Sequence, residues 1–138
     1  MFRRRFLALS AGVLAAPARA ADPARKIRTL YEKGGGFSDD ARSLEGSRLT
    51  LQGFMAPPLK ADARFFVLTS RPLAVCPFCE TAAEWPDDII AIYTKRVIDV
   101  VPFNVRIEAR GVLDLTGFKD PETGFYSKMR LVDATYDE

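Results

Sequence analysis

Histidine is absent from this chain, and cysteine and tryptophan nearly so, with two of the first and one of the second in 138 residues. Without histidine there is no Ser-His-Asp or Cys-His nucleophile system, no His-ligated haem and no mixed Cys/His zinc site of the usual kind. Long apolar runs are missing beyond residue 16. A membrane-spanning helix needs about 20 consecutive apolar residues, so none is expected in the rest of the chain. Internal repeats and low-complexity segments are lacking as well.

What the N-terminus does contain reads as a targeting segment. Arg3, Arg4 and Arg5 precede an apolar stretch from Phe6 to Ala16, broken only by Ser10 and Gly12, and Ala18-Arg19-Ala20 offers small residues for a signal peptidase. So short an apolar core favours a cleaved signal over an anchor, with export to the periplasm expected. The order Arg3-Arg4-Arg5-Phe6-Leu7 also matches the twin-arginine pattern of proteins exported already folded. Four arginines (3, 4, 5 and 19) would leave with the signal, lowering the basic total from 20 to 16 against 18 acidic residues, a net of −2. The basic isoelectric point of the whole chain therefore gives no reason to expect nucleic acid as a partner. Residues 1–20 are read as signal, 21–46 as a helical leader and 47–138 as one compact β domain.

In the leader, Ile27, Leu30 and Tyr31 recur at helical spacing between Pro23 and Lys33, which predicts a short amphipathic helix. Gly34-Gly35-Gly36 should end it as a flexible joint. Ser38 can cap a second short helix through Leu44, with Asp39 and Asp40 at its positive end and Gly46 as its stop. After Gly46 the period falls from 3.6 to 2. Strands are expected from Leu49 toward Pro57, over Arg64–Ser70, Asp88–Thr94, Asn104–Leu115 and Phe125–Ala134. The fourth alternates most clearly, with Val105, Ile107, Ala109, Gly111, Leu113 and Leu115 on one face and Arg106, Glu108, Arg110 and Asp114 on the other. Five strands without crossover helices argue for an antiparallel barrel or sandwich. Gly53 and Gly111, inside otherwise regular strands, mark sharp bends. The fold class expected is therefore mainly β: a small five-stranded OB-like antiparallel barrel preceded by one or two short N-terminal helices.

Several runs together resemble a family of uncharacterised exported bacterial proteins: Gly53-Phe54-Met55-Ala56-Pro57-Pro58-Leu59, Phe65 to Thr69, Cys76-Pro77-Phe78-Cys79, Trp85 to Ile89, Arg110 to Leu113, Gly124-Phe125-Tyr126 and Leu131 to Ala134. The resemblance covers most of the chain from about Gly46 onward. It implies an OB-like barrel and a protein partner in the cell envelope, since relatives often accompany ABC-type export or lipoprotein-release systems. It implies no established activity, so it assigns no catalytic residue.

Cys76 and Cys79 are the chemically loaded pair, and three readings compete for them. A disulfide would stiffen the connection from Pro72 to Asp87, although so short a ring restrains little unfolded-chain entropy. A thiol-disulfide oxidoreductase is suggested by the glutaredoxin-like spelling, but the nearly continuous strand pattern after Asp88 lacks the β-α-β arrangement of that fold. Glu80 and Glu84 would also oppose a nearby thiolate. A metal carrier would use the two thiolates as half of a tetrahedral zinc site or as a two-coordinate cuprous site. Its remaining ligands would come from Glu80, Glu84, Asp87 or Asp88, or from a second copy of the chain in a homodimer. The leading expectation is a binding or accessory module rather than an enzyme.

Aromatic and proline residues concentrate around the same connection. Most read as barrel core by ordinary burial tendencies. Phe78, Trp85 and Met55 are the candidate partner-docking side chains. Lys95, Arg96, Arg106, Arg110 and Arg130 could gather on one barrel face as an anion or phospholipid-headgroup patch, but interspersed Glu108 and Asp114 favour a mixed, solvated face. Asp120 to Thr123 lacks calcium-loop spacing and reads as a turn.

Overall fold

A computed structural model describes residues 12, 23–34, 36–74 and 88–138. In chain order the elements are β1 (Arg25–Lys26), a 3-10 turn (Ile27–Leu30), α1 (Asp39–Leu44), β2 (Arg48–Met55), β3 (Phe65–Thr69), β4 (Ile89–Thr94), β5 (Arg106–Asp114), β6 (Phe118–Lys119), β7 (Tyr126–Ser127) and β8 (Arg130–Asp137).

Five of these strands close into a ring. β2 pairs with β3 and β3 with β4, both antiparallel; β4 then pairs with β8, β8 with β5, and β5 returns to β2. Closure leaves each strand paired on both sides, which removes the exposed edges that an open sheet must protect. The β4–β8 pair is parallel, the one departure from the expected antiparallel set. No crossover helix is needed for it. After β4 the chain passes to the far side of the ring as β5, and β8 then inserts between the two in Greek-key fashion.

The two glycines expected at bends lie where a neighbouring strand approaches closely. A Cβ on Gly53 would lie 2.6 Å from the Thr69 carbonyl oxygen and 2.9 Å from Leu68 Cγ. There β2 changes its second neighbour from β1, paired at Leu51 and Gln52, to β3, paired at Phe54 and Met55. A Cβ on Gly111 would lie 2.9 Å from both Ala134 Cβ and the Val132 carbonyl, where the β5–β8 register shifts. Only glycine lets backbones approach so closely.

Burial follows the period-2 pattern. In β5 Ile107, Ala109, Gly111 and Leu113 are buried, whereas Arg106, Glu108 and Arg110 are exposed. β3 is buried throughout because it serves two clusters. Phe66 and Leu68 join the barrel interior, while Phe65 and Val67 pack outward with Ala56, Ile89, Ala91 and Phe125. The β6–β7 hairpin carries Phe118 beside this outer cluster, edge-on to Tyr93 at 5.5 Å between centroids. That hairpin also corrects a boundary. The last strand runs from Arg130 to Asp137, because Tyr126 and Ser127 are already paired with Phe118 and Lys119.

The leader differs from its expected form too. β1 runs parallel to β2, leaving room only for one 3-10 turn where a helix was expected. Ile27 and Leu30, three apart, fall on one side of such a turn and both are buried in the barrel core. Tyr31 bridges Phe37, and the Glu32 N–H donates to the Gly36 carbonyl at 2.8 Å. α1 forms as expected, with the Ser38 hydroxyl accepting from the Ala41 N–H.

Candidate functional site

The candidate site is built at the β3–β4 junction. Thr69 and Ile89 are direct antiparallel partners, so a two-residue turn could join them, yet residues 70–88 intervene. Connections of that length inside a compact domain are uncommon and usually functional. The two ends of this one are clasped. The Ser70 N–H donates to the Asp88 carbonyl at 3.1 Å, and the Ser70 hydroxyl donates to the Asp88 carboxylate at 2.8 Å. Just outside the clasp, the Thr69 hydroxyl lies 2.7 Å from the Arg71 carbonyl and 3.2 Å from that of Phe54.

Cys76, Phe78, Cys79, Glu80, Glu84, Trp85 and Asp87 lie outside the described residues. Asp88 is described. Buried and bonded to Ser70, it is part of the neck that holds the connection. Among the described residues no group of three or more Cys, Asp or Glu could hold a metal ion. Met55 does not have the surface position expected of a docking residue. It is 1% exposed within the barrel core, where its Sδ accepts from the Val101 N–H at 3.4 Å. As the last residue of β2 it falls on the inward face of the strand's alternation.

The five cations considered as one patch are dispersed. Lys95 pairs with Asp133 at 2.9 Å, and Arg130 pairs with Asp114 at 2.9 Å while lying 3.9 Å above the Phe118 ring. Arg106 instead faces Phe54, its guanidinium carbon 5.8 Å from the ring centroid. It lines a cavity of about 370 Å³ together with Lys26, Arg28, Arg71, Gln52 and Phe54. Ser70, from the neck of the long connection, also reaches this cavity. Sequence reasoning missed this set, because its four cations lie on three separate stretches of the chain, around 26–28, 71 and 106, that only the closed barrel juxtaposes.

A wider groove of about 790 Å³ is lined by Arg48, Lys95, Val97, Val100, Asp133 and Tyr136, among others. Val97 and Val100 are exposed on the β4–β5 connection, which Tyr136 secures: its hydroxyl lies 2.8 Å from both the N–H and the carbonyl of Asp99. Asp133 sits in the left-handed region at φ 55°, between Arg48 and Lys95. A hydrogen bond and charge from Lys95, with Arg48 adding, hold its carboxyl below the usual range. Burial opposes ionisation of Asp114, but hydrogen bonds from Thr116 and the pairing with Arg130 outweigh it and lower that carboxyl as well. Burial pushes the Tyr93 phenol well up, Asp120 adds to the rise, and Arg130 partly offsets it. Asp114 and Tyr93 thus share Arg130 as a neighbour, whereas Asp133 answers to Lys95 and Arg48.

No family model matches the chain, and no curated protein matches it. Among solved structures it is similar to a DUF3299 family protein from Pseudomonas aeruginosa, with a TM-score of 0.53 and 13% sequence identity over 86% of this chain and 98% of the other. At that identity the likeness concerns the fold.

Proposed function

We propose that this protein is an exported, soluble binding or accessory module serving an ABC-type envelope transport system, with the Cys76–Cys79 connection as its binding element. The observation that carries this reading is the clasped neck. Strands that could meet through a tight turn are joined by residues 70–88, held at the base by Ser70 and Asp88. Pairing of Thr69 with Ile89 requires no connection of that length, and binding residues are commonly carried on connections positioned by a rigid scaffold.

Docking through this loop is tested by placing a photo-crosslinking residue at Trp85 in living cells, with the same residue at Glu45 on the leader as control. A defined adduct with one envelope protein from position 85 only is expected. Identical patterns from both positions, or cytoplasmic adducts alone, would remove the reading.

The cysteine chemistry is read separately, by intact mass, thiol counting and metal analysis of periplasmic protein. A disulfide of strongly reducing potential fits a stiffened docking loop. Two thiols with stoichiometric zinc or copper identify a metal carrier, and an oxidising potential identifies a thiol-disulfide oxidoreductase. The last would not use a thioredoxin scaffold, because the strands flanking the cysteines are adjacent and antiparallel in a closed barrel.

A further inference from the structure

We infer that the cavity between the leader and the β2–β3 end of the barrel is a binding site for a phosphate-bearing ligand. Three guanidiniums (Arg28, Arg71, Arg106) and the Lys26 ammonium line it, and none of its described lining residues is acidic. None of the four makes an ion pair among the described residues, whereas Arg48, Lys60, Lys95 and Arg130 all do. Glu108 lies on the same outer face of β5 as Arg106 but does not line the cavity. Four like charges gathered without a paired counter-charge among the described residues repel one another, and an anion in their midst converts that repulsion into attraction.

The backbone that carries these cations is held in place before any ligand arrives. Lys26 sits on β1, paired with Gln52 of β2, and Arg28 on the turn anchored by buried Ile27 and Leu30. Arg106 is the strand partner of Phe54 and lies over its ring, and the Arg71 carbonyl is tied by Thr69. A lone carboxylate offers two oxygens and one charge, too little for four cations. A phosphate group presents three or four acceptor oxygens and up to two charges, which the guanidinium fork matches. A cavity of about 370 Å³ holds such a group with a small attached moiety, for which the Phe54 ring and the Gln52 amide form the wall. The attached moiety can be soluble or can be the lipid of a membrane headgroup.

The test uses protein purified, in phosphate-free chloride buffer, from cells expressing the whole chain. Inorganic pyrophosphate is titrated calorimetrically, and retention on vesicles with roughly one-quarter phosphatidylglycerol in phosphatidylcholine is compared with retention on phosphatidylcholine alone. Saturable binding of one pyrophosphate per chain without vesicle retention identifies a soluble phosphate compound; retention on the anionic vesicles identifies a headgroup. In either arm the double variant Arg71→Gln with Arg106→Gln is expected to weaken binding at least about tenfold. The control, Arg42→Gln with Arg96→Gln, removes the same charge elsewhere and should leave binding within about twofold. If the first pair loses its melting transition, Lys26→Gln with Arg28→Gln replaces it. No binding in either arm, or equal weakening by site and control variants, would overturn the proposal. It is independent of the docking role given to the cysteine connection.

Discussion

The Tyr31 hydroxyl donates to the carbonyl of Ile89 at 2.7 Å, a buried bond spanning 58 positions. It joins the leader to the first residue of β4, directly beyond the neck closed by Ser70 and Asp88. Tyr31→Phe keeps the ring and deletes this bond, so a loss of about 1–2 kcal/mol is expected. Urea unfolding should show a lower midpoint with an unchanged slope; an unchanged midpoint would mean that the leader does not support the neck.

The neck ties the two ends of the long connection to each other through Ser70 and Asp88. Changing Cys76 and Cys79 together to Ser removes at most a four-residue ring, worth on the order of 1–2 kcal/mol by loop closure. A folded, secreted protein with a modestly lower melting temperature is expected, together with loss of whatever crosslink or metal the intact loop supports. Global unfolding of this variant, seen by circular dichroism, would make the cysteines structural.

Gly53 and Gly36 should respond oppositely to alanine. At Gly53 the new methyl would meet the Thr69 carbonyl at 2.6 Å, and that carbonyl cannot retreat because Thr69 is paired with both Phe54 and Ile89. Overpacking of this kind costs about 1–3 kcal/mol or more. At Gly36 the nearest atom is the end of the Glu32 side chain at 3.6 Å, ordinary contact. Thermal unfolding of the two variants side by side reads the difference. Equal melting temperatures would show that the β2 bend tolerates a side chain.

Acid should destabilise the barrel through Asp114 in particular. Its carboxyl is lowered in the folded state, so the native form binds fewer protons than the unfolded one in the carboxylate range. The stability it contributes is therefore full above the unfolded value near 4 and is lost as pH falls through the lower folded value. Asp133 has the same sign, but it is exposed and screened, so its share is small. Unfolding midpoints measured from pH 7 down to about pH 3 should fall more steeply for the native protein than for Asp114→Asn. Parallel curves would show that Asp114 does not carry the dependence.

The sequence by itself determined what depends on neighbours along the chain. The alternation of β5 and the cap that Ser38 gives α1 both follow from local geometry and side-chain period. Tertiary closure decided the rest. β4 and β8 run parallel because the ring leaves β8 one gap, between β4 and β5, and no local signal encodes which strand fills it. The leader's helical spacing became a single 3-10 turn because Arg25 and Lys26 gained more by pairing with β2 than a lone short helix gains in water. Met55 turned inward with the β2 alternation, although its surroundings in the sequence suggested a surface cluster. The Lys26–Arg28 stretch, Arg71 and Arg106 came together through closure too, because stretches distant in sequence share a cavity only when strand pairing brings them side by side.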